Sequence, residues 1–249
     1  MMFNPEQCYA DILQARRFVI HQLYLILLTF VDVVFTIAMF VGKVWIAAVI
    51  MTVVAGILIL LLVRSSRKNT TLRRETKQCY RFPLPRFYDY DAVCSAVFSA
   101  PNVQWTQKCA EDVQACCVEG KFSWRILLLY QPQFSKKENK SKREKANRAV
   151  NRIHPSPQMG SIMEVSVKAR LNIVVCDTIN DELSKYMNTH AETLLRRNEI
   201  VLNLAVVGNE LLVPPIRGAD LDLPSINRYK GSVDLIWHQL CQEELRFEL

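Results

Sequence analysis

Two long apolar segments, Phe18 to Val41 and Val44 to Val63, are separated only by Gly42 and Lys43, and they leave the chain few ways to fold. At about 1.5 Å of rise per helical residue, they reach roughly 36 and 30 Å, enough for a hydrocarbon core of about 30 Å. The ionisable residues from Phe18 to Val63 are His21 near the start, Asp32 in the middle and Lys43 at the turn, which argues against the buried hairpin of a soluble core. The first run is too long and starts too late for a cleaved signal peptide, and it has no small-residue cleavage site. The expectation is a transmembrane helical hairpin over residues 18–63.

With 249 residues, the chain has room for that hairpin and one further domain of ordinary size. Its net charge of +7 is uneven: residues 1–79 hold nine Lys/Arg against four Asp/Glu, and residues 80–249 hold 22 against 20. Arg16 and Arg17 precede the first span, Arg64, Arg67, Lys68, Arg73, Arg74 and Lys77 follow the second, and Lys43 alone lies at the turn. By the positive-inside rule both termini are cytoplasmic, and the expected location is the inner (plasma) membrane. Cys8, Cys79, Cys94, Cys109, Cys116, Cys117, Cys176 and Cys241 then sit in a reducing compartment, where disulfides are disfavoured. No CxxC pair and no His at zinc-ligand spacing accompanies them.

Residues 1–17 read as a short amphipathic helix with Asn4 as N-cap, Pro5 at the first position and Gln7 three residues after the cap. Cys8, Tyr9, Ile12 and Leu13 give it an apolar face, to lie on the membrane surface or pack on the cytoplasmic domain, and the helix runs on into the first span. In that span Gln22, Thr29 and Thr36 recur every seven positions, with Asp32 between them, forming one polar stripe. A mid-bilayer carboxylate costs about 2.5–3.5 kcal/mol, so Asp32 faces protein or water, as an interhelical hydrogen-bonding group or as the lining of a polar pore. Ala48, Thr52 and Gly56 form a ridge of small residues on the second span, expected to be its packing face, and Trp45 suits the outer interface. Two spans enclose no pore alone, so conduction requires a homo-oligomer.

Residues 64–86 read as a basic juxtamembrane linker, proline-punctuated towards its end and suited to anionic headgroups. Residues 87–249 read as a mixed α/β (α+β) cytoplasmic domain with a largely antiparallel sheet. Asp91 to Ala100 reads as helix, and Val113 to Val118 and Phe122 to Tyr130 as a hairpin turning at Glu119-Gly120-Lys121. Ser135 to Ile153 is a highly charged helix or an exposed loop. Ile162 to Cys176 alternates, with Val165, Val167, Ala169, Leu171, Ile173 and Val175 on one face and Glu164, Ser166, Lys168, Arg170 and Asn172 on the other, as in a half-buried strand. A helix from Asp177–Asp181 to Arg197 would bury Leu183, Met187, Ala191 and Leu194. A second hairpin, Ile200 to Val207 with Leu211 to Val213, would turn at Gly208-Asn209. An amphipathic helix from Ser232 to Phe247 closes the chain.

The most segregated charge is in Lys136, Lys137, Lys140, Lys142, Arg143, Lys145, Arg148 and Arg152, offset only by Glu138 and Glu144. Such a segment attracts phosphates from a nucleotide, an oligonucleotide or a lipid leaflet, or is simply a solvated helix. Lys168 and Arg170, with Tyr130 nearby, would extend it into a trench. No Walker loop, GxGxxG, GxSxG or HExxH occurs, so no catalytic site, metal or cofactor is assigned. His21, His154, His190 and His238 are isolated, and a nuclease-like trio of Glu164, Asp177 and Lys168 matches no metal-binding spacing.

The hairpin Phe18 to Val63, the C-terminal domain and the basic segment Lys136 to Arg152 together resemble the two-span membrane effectors of bacterial antiphage systems. The resemblance implies a homo-oligomer such as a tetramer in membrane lipid, opened or closed by the nucleotide or oligonucleotide product of a nucleotidyltransferase partner. The alternatives are a non-catalytic anchoring or scaffolding subunit of a membrane complex and, third, a membrane-tethered hydrolase or nuclease.

Overall fold

The computed structural model describes residues 5–75, 78–120, 123–154, 168–188, 192–194, 199–216 and 223–241. Asn4, Glu164, Val165, Ser166, Val167, His190, Ala191 and residues 242–249 therefore lie outside the described residues. In chain order the elements are α1 (Pro5–Val41), α2 (Trp45–Glu75), β1 (Tyr80–Tyr88), α3 (Tyr90–Phe98), β2 (Val103–Ala110), β3 (Val113–Glu119) and β4 (Ser123–Tyr130). They are followed by α4 (Lys136–Ile153), β5 (Lys168–Cys176), α5 (Asp181–Met187), β6 (Glu192–Leu194), β7 (Glu199–Val213) and α6 (Leu223–Cys241).

One seven-stranded sheet, ordered β1-β7-β5-β4-β3-β2, carries the domain, with β6 paired to β7. It is mixed, not largely antiparallel: β5 runs parallel to both β4 and β7, while the β1–β7, β2–β3, β3–β4 and β6–β7 pairs are antiparallel. Parallel neighbours need a crossover, and α4 before β5 and α5 before β7 supply two. That places β5 in the centre of the sheet with both faces covered, rather than half open to solvent. Ala169, Leu171, Ile173 and Val175 join the main core, while Val174 and Cys176 pack on the other side with Leu183 and Met187.

No hairpin turns at Gly208-Asn209, because β7 passes straight through both residues. Gly208 takes φ 61° and the β1 pairing shifts register between Pro83 and Tyr88, so the glycine serves a bulge, not a turn. The expected linker 64–86 is also largely structured: α2 continues to Glu75, and β1 begins at Tyr80. Pro83 and Pro85 fit there because β1 is an edge strand, where a missing N–H need not break a ladder. The helix expected to reach Arg197 ends at Met187, with Asn180 capping it through the Leu183 N–H, and Leu194 belongs to β6. Asn188, just past its end, accepts instead from the Cys79 N–H at 2.9 Å. The last helix starts at Leu223, not Ser232, and buries Ile226, Tyr229, Val233, Ile236 and Leu240 at alternating three- and four-residue steps.

The main core lies between one sheet face and α3, α6 and the first turns of α1. Cys8, Tyr9, Ile12 and Ala15 are buried in it. The Tyr9 hydroxyl donates to Asp234 Oδ1 at 2.5 Å, and Tyr80 donates to Asp11 Oδ2 at 2.6 Å. Burial first, and the Asp234 carboxylate next, push the Tyr9 phenol well above its ordinary pKa. From Pro5 on, the expected short helix and the first apolar run thus form one continuous helix of 37 residues, rooted in the domain.

Beyond that root, α1 and α2 pack on each other and on little else. Only 11% and 6% of their most apolar stretches are buried, so both are long and apolar enough to cross a membrane and present that apolar surface outwards. Among the described residues, every exposed large apolar side chain except Phe87 and Ile153 lies between Leu23 and Val63.

Candidate functional site

The charged segment after Ser135 is helix, α4, seated on the sheet face opposite the main core. Ala146 and Val150 anchor it against Val113, Ala115, Leu127 and Leu129. At 100° per residue, the exposed Lys136, Lys137, Lys140, Lys145, Arg148 and Arg152 all fall within one half of its circumference, facing away from the sheet. Arg148 lies 3.9 Å from Glu144, a solvent-exposed pair of little energetic weight.

The other two cations of the segment turn inwards. Lys142 forms ion pairs with Asp112 and with Glu138, the latter at 2.7 Å, and donates to the Tyr130 carbonyl at 3.2 Å. Burial alone would lower its pKa, but the two carboxylates outweigh burial and hold the ammonium above the usual lysine value. Arg143 Nη1 donates to the Tyr186 hydroxyl at 2.9 Å and to Asn203 Oδ1 at 3.3 Å, where Asn172 Nδ2 also donates at 2.9 Å. These two residues fasten the helix, and the other six stay on its outward face. Asn203 and Tyr186 were not singled out in the sequence. The available signal was Asn203 as the one polar residue in the run Ile200 to Val207.

The trench with Lys168, Arg170 and Tyr130 does not form. Arg170 pairs in register with Arg125, whereas Tyr130 pairs with Val175, five residues or roughly 16 Å further along. Tyr130 packs instead against Tyr90 in a tilted pair, with centroids 5.7 Å apart, and its hydroxyl donates to the Asp177 carboxylate at 3.2 Å. Arg125 closes the end of α4 through Asn151 Oδ1 at 2.7 Å and the His154 carbonyl at 3.2 Å. The Lys168 side chain lies outside the described residues. His154 lies flat on Trp105, centroids 4.1 Å apart, while His21 and His238 are exposed on α1 and α6. Among the described residues no group of three His, Cys, Asp or Glu is placed to hold a metal ion.

In the hairpin, Gln22, Leu25, Thr29, Asp32, Thr36 and Met39 are the less exposed residues of α1, so the polar stripe faces α2. The threonine hydroxyls do not reach Asp32 but bond back to their own helix, Thr29 to the Leu25 carbonyl at 2.7 Å and Thr36 to the Asp32 carbonyl at 2.8 Å. Asp32 is 5% exposed, with neither carboxylate oxygen hydrogen-bonded. The expected ridge on α2 is not its contact line with α1. Ala48 is buried, but Thr52 and Gly56 are exposed, and α2 meets α1 through Ala48, Met51, Ala55, Leu58 and Leu62. A strict four-residue step drifts about 40° per step around the helix, whereas alternating steps of three and four keep one face on the partner. No family model matches this chain, and no curated protein or solved structure matches it either.

Proposed function

We propose that the protein is a non-enzymatic membrane effector. Its α1–α2 hairpin sits in the bilayer, the sheet domain lies on the cytoplasmic side, and an anionic nucleotide or oligonucleotide binds the outward face of α4. The observation that supports this most is the continuity of α1, whose first turns are core and whose remainder exposes apolar surface. A rigid helix rooted in the domain carries any movement of that domain into the bilayer without a hinge. Conduction would then be the work of a homo-oligomer, and a nucleotidyltransferase partner in antiphage defence would supply the ligand. A second reading, a passive anchoring subunit, draws on the enclosure of Asp32 between the two helices, where it lines nothing until they part. Purified protein in detergent tests the first reading by its oligomeric state, and liposomes test it by ion flux with and without nucleotide. The variant Lys137→Glu, Lys140→Glu, Lys145→Glu should assemble normally and lose the ligand response. A monomer without flux under any nucleotide leaves the anchor as the function.

A further inference from the structure

On the main-core side of the sheet, the end of β1, α3 and the C-terminal turn of α6 line an open cavity of about 500 Å³. That is within the usual range for a small-molecule site. We propose that this cavity binds a small heterocyclic anion of nucleoside monophosphate size.

Three observations set the chemistry. Among the described residues, Arg86 contributes the one permanent charge to the lining and no carboxylate lines it, so this wall favours an anion. Its guanidinium lies 4.8 Å from the centre of the Tyr88 ring, which holds the charge along the β1 wall. Gln239, 9% exposed, also lines the cavity, and neither its amide nitrogen nor its amide oxygen has a hydrogen-bond partner. An unsatisfied buried amide is unfavourable, and in the proposed complex rotation about its terminal bonds presents it to the ligand. The edge of a nucleobase offers an adjacent donor and acceptor that satisfy both amide groups at once, as glutamine does with adenine. Pro85, Ala96 and Leu240 provide apolar wall for a ring, and the exposed Ser95 hydroxyl stands at the α3 side for a sugar.

The cavity and α4 are on opposite faces of the sheet, so the two surfaces are independent. Gln239 lies five residues beyond Asp234, the acceptor of the Tyr9 hydroxyl, so a ligand here touches the same helix that holds α1.

Equilibrium dialysis of the full chain in detergent against AMP, GMP, CMP and UMP, with inorganic phosphate as control, tests the site. At least one nucleotide should bind at one per chain and phosphate at least tenfold more weakly. Gln239→Leu and Arg86→Gln should each weaken the nucleotide at least tenfold at an unchanged melting temperature. Ser95→Phe, placed on the exposed side of α3, should block binding by filling the cavity. The triple reversal at Lys137, Lys140 and Lys145 should leave binding intact. The site is overturned if none of the four nucleotides binds, if binding survives both Gln239→Leu and Ser95→Phe, or if it is lost with the α4 charges.

Discussion

The hairpin and α4 are helices built inside out with respect to each other. In α1 and α2 the polar groups Gln22, Thr29, Asp32 and Thr36 turn towards the partner helix, while Leu27, Phe35, Ile46 and Leu60 face outwards. In α4 the apolar Ala146 and Val150 turn towards the sheet and six cations face outwards. Each helix places inside what its proposed surroundings do not solvate, the contrast expected of one chain that meets both lipid and water. Asp32 and Lys142 sharpen the point. Both are ionisable side chains turned inwards, but Lys142 has two carboxylates and a carbonyl around it, and Asp32 has no partner.

The comparison breaks most visibly if the outer surface of the hairpin does not meet lipid. Leu27→Arg combined with Phe35→Arg should cost about 5–7 kcal/mol of insertion and move the protein out of the alkali-resistant membrane fraction. Full retention there would show that this face is covered by protein. Next in size, Ile12→Asp puts an unpaired charge into the core at the root of α1, a loss of about 3–5 kcal/mol. The melting temperature in detergent should fall by roughly 10 °C, and an unchanged melt would detach the root from the domain. Asp32→Leu removes an unpartnered buried carboxylate and should stabilise the hairpin by about 1–3 kcal/mol, read as resistance to unfolding in detergent. Destabilisation instead would reveal a partner for Asp32 in a second copy of the chain. Smallest, Lys142→Met should cost about 1 kcal/mol in urea unfolding, whereas Lys140→Met or Lys145→Met should stay within about 0.5 kcal/mol. Because the folded state raises the Lys142 pKa, that difference is fully present below the ordinary lysine value. It fades as pH rises through the folded value. Equal effects at all three lysines would erase the distinction between fastening and outward cations.

Much of the local structure was legible in the residues. The apolar runs, the β3–β4 hairpin, α3 and the polar stripe of α1 follow from period and composition, which act within a few residues of each position. What sequence reading missed was longer in range. Gly208-Asn209 has the residues of a turn, and only the pairing of β1 along β7 makes it a bulge. The alternation in β5 matches a half-buried strand, and only the crossovers α4 and α5 cover its second face. In the candidate site the eight cations of α4 look alike in sequence. Their division into six outward and two fastening residues depends on Asp112, Tyr186 and Asn203, which lie 30 to 60 residues away in the chain from the cations they hold.

The sequence by itself determined that this chain has two helices too apolar for water and one too cationic for a core, because hydropathy and charge are properties of the side chains. Tertiary structure alone decided that α1 is one helix shared by core and hairpin, that Asp32 is enclosed while Thr52 and Gly56 are not, and that Gln239 is buried beside a cavity. Those facts depend on which surfaces meet, and side chains far apart in the chain settle that only by packing together.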